Sequence, residues 1–192
     1  EPYRYASGQP VNNWDNKYIG SARVRYAIEH SMNVCAVRTL TETVGLEKGY
    51  KYLENFGFTT LVNNDPNYPG MSDIAQATAL GGITRGVYNI EMTAAYAAIA
   101  NSGIYTEPLL YTEILDHDGN VLIDNSKPIT RRVLKESTAF LLTSAMQDVI
   151  NRGTGTPARL NNMPAAGKTG TTENSTDLWL SAYTPYYTCS VW

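Results

Sequence analysis

Ala166-Gly167-Lys168-Thr169-Gly170-Thr171-Thr172 brings a cation, several hydroxyls and a glycine together on one short run. As an exposed strand, this run would make an anion-binding edge. Alternate strand residues point the same way, so Lys168 shares a face with Gly170. Thr169 and Thr171 then lie opposite, unless a bulge re-aims one of them. Gly170 has no side chain, so another backbone could approach it closely. Ser31-Met32-Asn33 is the second stretch of interest, because a hydroxyl and an amide on one short turn can relay a proton and hold an amide. Taken singly, each has a plainer reading: a Lys-Thr-Gly triplet suits a solvated turn, and Ser and Asn are favoured helix caps.

The histidines do not complete a Ser-His-Asp set. His117 lies between Asp116 and Asp118 in a turn and should face solvent. His30 adjoins Ser31, but neighbours on a helix point about 100° apart. There is no Gly-x-Ser-x-Gly elbow. There is also no C-x-x-C and no metal-spaced His/Cys set, so neither a metal nor a cofactor is expected. Cys35 and Cys189 read as two buried thiols, since free cysteine is among the most buried residue types.

These stretches must be positioned by elements that can be read from the pattern. Residues 1–20, rich in Tyr, Asn, Pro and Gly, read as an irregular surface segment. Ser21 is a candidate N-cap for a helix through Val24, Ala27 and Ile28. After a break at Ser31-Met32-Asn33, Val34, Val37 and Leu40 mark a second helix, and Leu46 to Phe56 a third, stopped by Gly57. Asn63 to Gly70 reads as a loop. Ile90 to Ala100 is a helix with a small-residue face (Ala94, Ala95, Ala97, Ala98), capped by Gly103. Tyr111–Leu115 and Val121–Ile123 flank an Asp-Gly turn as a hairpin. Glu136 to Ile150 is an amphipathic helix ended by Gly153. Leu178 to Trp192 reads as strand, turn, strand. The sum is an α/β (α+β) domain.

Composition sets the outer bounds. The chain has 192 residues, 43% hydrophobic and 17% charged, enough apolar material for a packed core. A net charge of −3 offers no basic face for nucleic acid. No apolar run reaches the about 18 residues that a membrane span needs. The chain opens at Glu1 without an initiator Met and stops at Val191-Trp192, and both ends read as cuts within a longer polypeptide.

Taken together, the two stretches and their surroundings resemble the transpeptidase domain of the penicillin-binding proteins, in particular the bifunctional class A type. The superfamily's serine acyl-transfer motifs are S-x-x-K, S-D-N and K-T-G. Lys168-Thr169-Gly170 matches the third, and Ser31-Met32-Asn33 matches the S-x-N form of the second. Asn13 to Gly20 resembles the family's segment before the S-x-N helix. Leu80-Gly81-Gly82, Gly86-Val87, Glu91-Met92 and Ala95 to Asn101 resemble a long family signature. Arg152-Gly153-Thr154-Gly155 resembles the approach to K-T-G, and Asp177, Trp179 and Tyr183-Thr184-Pro185 the strand and turn after it. The departure is S-x-x-K: no serine here is followed three places later by Lys. The resemblance therefore implies a partial domain over residues 1–192, with nucleophile and general-base lysine in sequence that is absent.

The resemblance further implies an extracytoplasmic D,D-transpeptidase. Its partners would be a peptidoglycan stem peptide and β-lactam antibiotics, and the parent protein would carry a membrane anchor and a glycosyltransferase domain. Ser31 would relay a proton, Asn33 would hold the substrate amide and the absent lysine, and Lys168 would supply positive charge. Thr169 and Thr171 would bind the substrate carboxylate, with Gly170 admitting the substrate and the Thr171 N–H in the oxyanion hole. A D,D-carboxypeptidase, a β-lactamase-like enzyme and a non-catalytic penicillin-binding-like module are the alternatives. Architecture follows too: a helical body, with only the K-T-G strand (Ala165–Thr172) and the next one (Leu178–Trp192) left of an antiparallel sheet. They would be joined through Glu173–Asp177 or paired around Tyr183–Tyr187. Such a hairpin is marginal alone and should pair with another chain or be poorly held.

Overall fold

A computed structural model describes residues 2–172 and 175–192. Glu173 and Asn174, in the connection expected to join the last strands, lie outside the described residues, as does Glu1. Among the described residues there are five α-helices and nine short strands. In chain order they are β1 (Tyr3–Arg4), β2 (Pro10–Val11), α1 (Val24–Glu29), α2 (Asn33–Arg38), α3 (Leu46–Asn55), α4 (Asn89–Ala100), β3 (Ile104–Thr106), β4 (Glu113–Leu115), β5 (Val121–Asp124), β6 (Thr130–Arg132), α5 (Glu136–Arg152), β7 (Ala166–Thr171), β8 (Leu178–Tyr183) and β9 (Thr188–Val191).

α5 is the spine of the domain. Its apolar residues recur every three to four positions, and the stripe Ala139, Ala145, Met146, Val149, Ile150 is buried. Met146 packs with Ala166 of β7 and Tyr183 of β8. Ile28 of α1, Tyr96 and Ile99 of α4, and Leu142 of α5 surround this cluster. One apolar cluster thus ties the helix that leads into Ser31 to the strand that carries Lys168. Two smaller clusters flank it: Val11, Val34 and Val37 under α2, and Ala94, Ala98 and Tyr105 where the small face of α4 meets β3. Each fully buried Val, Ile or Met side chain contributes about 1.5–3 kcal/mol of transfer free energy.

The C-terminal sheet is an antiparallel meander in the order β7-β8-β9. β7 pairs with β8 without a register shift from Ala166↔Tyr183 to Thr171↔Leu178. The sheet therefore has three strands rather than forming a lone hairpin. It is not poorly held, because Ala166 and Tyr183 are seated on α5 and α4.

Several local expectations change. Helix α1 begins at Val24 with Arg23 in the cap position, so Ser21 is not its N-cap. Packing of Ile28 into the central cluster, rather than a capping hydroxyl, sets where this six-residue helix forms. Residues 1–20 are not wholly superficial: Val11 is 1% exposed and Asn13 3%. The cysteines are not two buried thiols. Cys35 is half-buried and Cys189 exposed on β9, and both are free. The hairpin is present, with β4 paired to β5. Asp116 accepts N–H bonds from Asp118 and Asn120 across its turn, and Gly119 takes a φ of 85°. This hairpin is an excursion between β3 and β6, which pair with each other.

Packing on the spine yields a direct test. Met146→Ala should lower stability by about 2–5 kcal/mol, whereas Phe140→Ala, on the 69% exposed face of the same helix, should change it by less than about 0.5 kcal/mol. Urea unfolding followed by circular dichroism reads both.

Candidate active site

The sequence separates Ser31 from Lys168 by 137 positions, and the fold brings them together. Lys168 Nζ donates to Ser31 Oγ at 2.7 Å and to its neighbour's carbonyl, Thr169 O, at 2.9 Å. Burial makes the ammonium form costly and lowers the Lys168 pKa from 10.5 to about 8. Because Ser31 Oγ accepts from Lys168, the hydroxyl hydrogen of Ser31 stays free to be passed elsewhere. A serine and a softened lysine in contact make a proton-transfer pair with a positive charge behind it.

Ser31 sits at the end of α1 in the left-handed region, with φ 53°. A residue with a Cβ pays for that conformation, so the turn must be held by its surroundings. Met32 N donates to Ala27 O at 2.9 Å and Ser31 N to Ile28 O at 3.2 Å. The segment before the helices clamps it from the other side. Trp14 Nε1 donates to His30 O, Asn33 Nδ2 donates to Asn12 O, and the buried Val34 N–H donates to Asn13 Oδ1. Asn33 is thus turned toward Asn12 and makes no hydrogen bond to Ser31 or Lys168. Asn12, Asn13 and Trp14 lie in a stretch that composition alone marks as loop. Asn13 shows itself only as a buried amide satisfying the first turn of α2.

β7 carries the remaining candidates. Its ladder has no bulge, so Thr169 and Thr171 stay on the face opposite Lys168. Thr169 Oγ1 lies 2.7 Å from Thr154 Oγ1. Gly170 stands opposite Trp179 in the ladder. Thr171 is at the exposed end of the strand. The histidines have other surroundings. His117 is solvent-facing, while His30 stacks on Tyr26 and points Nε2 at Glu29. Among the described residues no group of three or more His, Cys, Asp or Glu could hold a metal ion. Nor, among the described residues, is any helix long and apolar enough to cross a membrane.

A helical body around an antiparallel sheet, with a Lys-Thr-Gly strand facing a Ser-x-Asn turn, defines a class. Residues 1–189 match the penicillin binding protein transpeptidase domain, and the chain belongs to that family. Penicillin-binding protein 1A of Clostridium acetobutylicum is 38% identical over 190 residues, which is 97% of this chain and 22% of the relative. Penicillin-binding protein 1A/1B of Bacillus subtilis is 30% identical over 206 residues, 99% of this chain and 21% of the relative. The chain therefore spans only about a fifth of these relatives. Among solved structures, the PonA1 protein of Mycobacterium tuberculosis in complex with penicillin V superposes with a TM-score of 0.81 at 24% identity, over 100% of this chain and 52% of that one. Penicillin-Binding Protein 1A of Haemophilus influenzae gives 0.78 at 22% identity, over 99% and 32%.

The burial of Lys168 has a measurable sign. In the folded chain it loses its proton near pH 8, in the unfolded chain near pH 10.5. Between those values the unfolded state binds more protons, so stability should rise with pH. Below pH 8 both states are charged and burial of the ammonium costs its full amount. Relative to Lys168→Met, wild-type stability should climb by roughly 2–4 kcal/mol from pH 7.5 to 10.5. Urea unfolding across that range checks this, and a flat difference would contradict it.

Proposed function

We propose that this chain forms one wall of the acyl-transfer site of a peptidoglycan D,D-transpeptidase that also binds penicillin. The nucleophilic serine and its lysine would come from an S-x-x-K segment outside these 192 residues. The observation that carries this reading is the 2.7 Å bond from Lys168 Nζ to Ser31 Oγ, which joins two of the three motifs of a serine acyl-transfer site. Family membership and relatives named as penicillin-binding proteins support it.

In this reading the supplied serine attacks the carbonyl of a D-Ala–D-Ala amide. Its Oγ–C bond forms, the C–N bond breaks, and the serine's proton passes to the departing D-Ala amine. Ser31 relays that proton, since its oxygen accepts from Lys168 while its own hydrogen is free. An amine from a neighbouring strand then attacks the ester carbonyl: its N–C bond forms, the ester C–O bond breaks, and the proton the amine loses returns to the serine oxygen, completing the cross-link. The Lys168 ammonium offers positive charge to the substrate carboxylate, which the Thr169 and Thr171 hydroxyls bind. Asn33 holds the substrate amide once its bond to Asn12 is exchanged.

The oxyanion donor is the Thr171 N–H. Thr169 O is turned toward Lys168 Nζ, away from the β8 ladder. In an antiparallel strand, residues two apart present their backbone groups to the same side, so Thr171 N–H faces the open edge as well. By family analogy the whole protein would be anchored on the outer face of the membrane and carry a glycosyltransferase domain.

The 192-residue chain alone should give no fluorescent-penicillin adduct that survives denaturation, and stoichiometric labelling of any residue here would overturn the assignment of the nucleophile. In the full-length protein, Lys168→Ala should slow acylation by about 10²-fold or more with an unchanged circular dichroism spectrum. An unaltered rate measured by stopped flow would remove Lys168 from the site.

A further inference from the structure

Ser31 and Lys168 are joined a second time, from behind. Glu29, two residues before Ser31, is 7% exposed. Its carboxylate receives Arg152 Nε at 3.2 Å, and its backbone carbonyl accepts the Thr154 N–H at 3.3 Å. Between those two contacts lies Gly153, where a Cβ would overlap the Glu29 carbonyl oxygen. The close approach therefore requires glycine. Thr154 then reaches β7 through its hydroxyl, 2.7 Å from Thr169 Oγ1. The connections close a ring: Ser31 to Lys168, along the strand to Thr169, across to Thr154, and back through Glu29 to the Ser31 turn.

We propose that Thr154 is a positioning residue for substrate-carboxylate recognition: it donates its hydroxyl hydrogen to Thr169 Oγ1, so that the Thr169 hydrogen is directed at the carboxylate. The inference rests on the functional reading above. The physical basis is the hydroxyl inventory. Thr169 has one hydrogen and two lone pairs. When Thr154 fills a lone pair, the Thr169 rotor is fixed and its hydrogen is left for an anion. Without Thr154, that hydrogen can turn to other acceptors, and recognition of a charged carboxylate loses one well-aimed donor. The backbone half of the clasp, Thr154 N–H to Glu29 O, does not need the hydroxyl, so the Ser31 turn keeps its support when the side chain is shortened.

The test uses full-length protein and a pair of variants of nearly equal volume, Thr154→Ala and Thr154→Ser. Acylation rate constants are measured with a penicillin bearing its free carboxylate and with the same penicillin as its methyl ester. Thr154→Ala should lose roughly fivefold to tenfold with the free acid and nothing with the ester, while Thr154→Ser should keep the wild-type ratio between the two. Equal losses on acid and ester would mean that Thr154 only supports the fold, and would overturn the proposal. Identical behaviour of the Ala and Ser variants would overturn it too. Thr154→Val, which keeps the shape and removes the hydroxyl, makes the same comparison should the alanine variant not fold. Wild-type protein that is not acylated by the free penicillin would instead sink the functional reading, so the two failures are told apart.

Discussion

A lysine ammonium drawn into the protein is the constraint on which the rest of this structure turns. Removing such a group from water is expensive unless its hydrogens are accepted. Here two of its three N–H groups go to Ser31 Oγ and Thr169 O. The first acceptor requires a helix to stop at Ser31 and turn back, and the second requires β7 to leave a carbonyl outside the β8 ladder. Both depend on the cluster of Met146, Ala166 and Tyr183, with Ile28 against it, which sets the separation of the α1 terminus from the strand. The core fixes distance to within a side chain's reach, and polar contacts fix the last ångström.

That division of labour fits apolar clusters that are each modest in size among the described residues, while buried polar groups are well supplied. Asp73 receives Val62 N and both the N–H and the hydroxyl of Thr84. Glu91 receives Thr59 N and Thr59 Oγ1 and reaches back to Tyr88 N at the head of α4. No buried side-chain polar atom among the described residues lacks a partner. Satisfied networks of this kind specify one arrangement of loops more sharply than apolar contact does.

Much of this is legible in the sequence. The helices around Ile90–Ala100 and Glu136–Ile150 declare themselves by small-residue or amphipathic periodicity; Gly153 caps the second as expected, whereas the first ends with Asn101, not Gly103, in the cap position. The Asp116–Asn120 turn carries its own side-chain bonds. Local chemistry decides such features, so local sequence reveals them. The pairing of β3 with β6 was not legible, because Thr130-Arg131-Arg132 has no apolar alternation and its partner lies beyond an intervening hairpin. Asn13 and Thr154 fall in segments that the resemblance marks, but their contacts were not legible, for the same reason. An asparagine in a polar loop and a threonine after a glycine acquire roles only when a distant backbone donor or hydroxyl arrives. Cys189 misled in the other direction: its residue type favours the interior, but its place on the edge strand β9 leaves it outside.

Ser31 adopts a backbone conformation that glycine would occupy without cost, whereas for a serine the left-handed region is unfavourable by about 1–2 kcal/mol. Glycine would relieve that turn, but it would also take away the oxygen that accepts a hydrogen of the Lys168 ammonium. One side chain therefore carries two opposed terms: the backbone is easier without it, and the lysine is harder to keep. The strain at 31 persists because it is tied to the solvation of a charge 137 positions away.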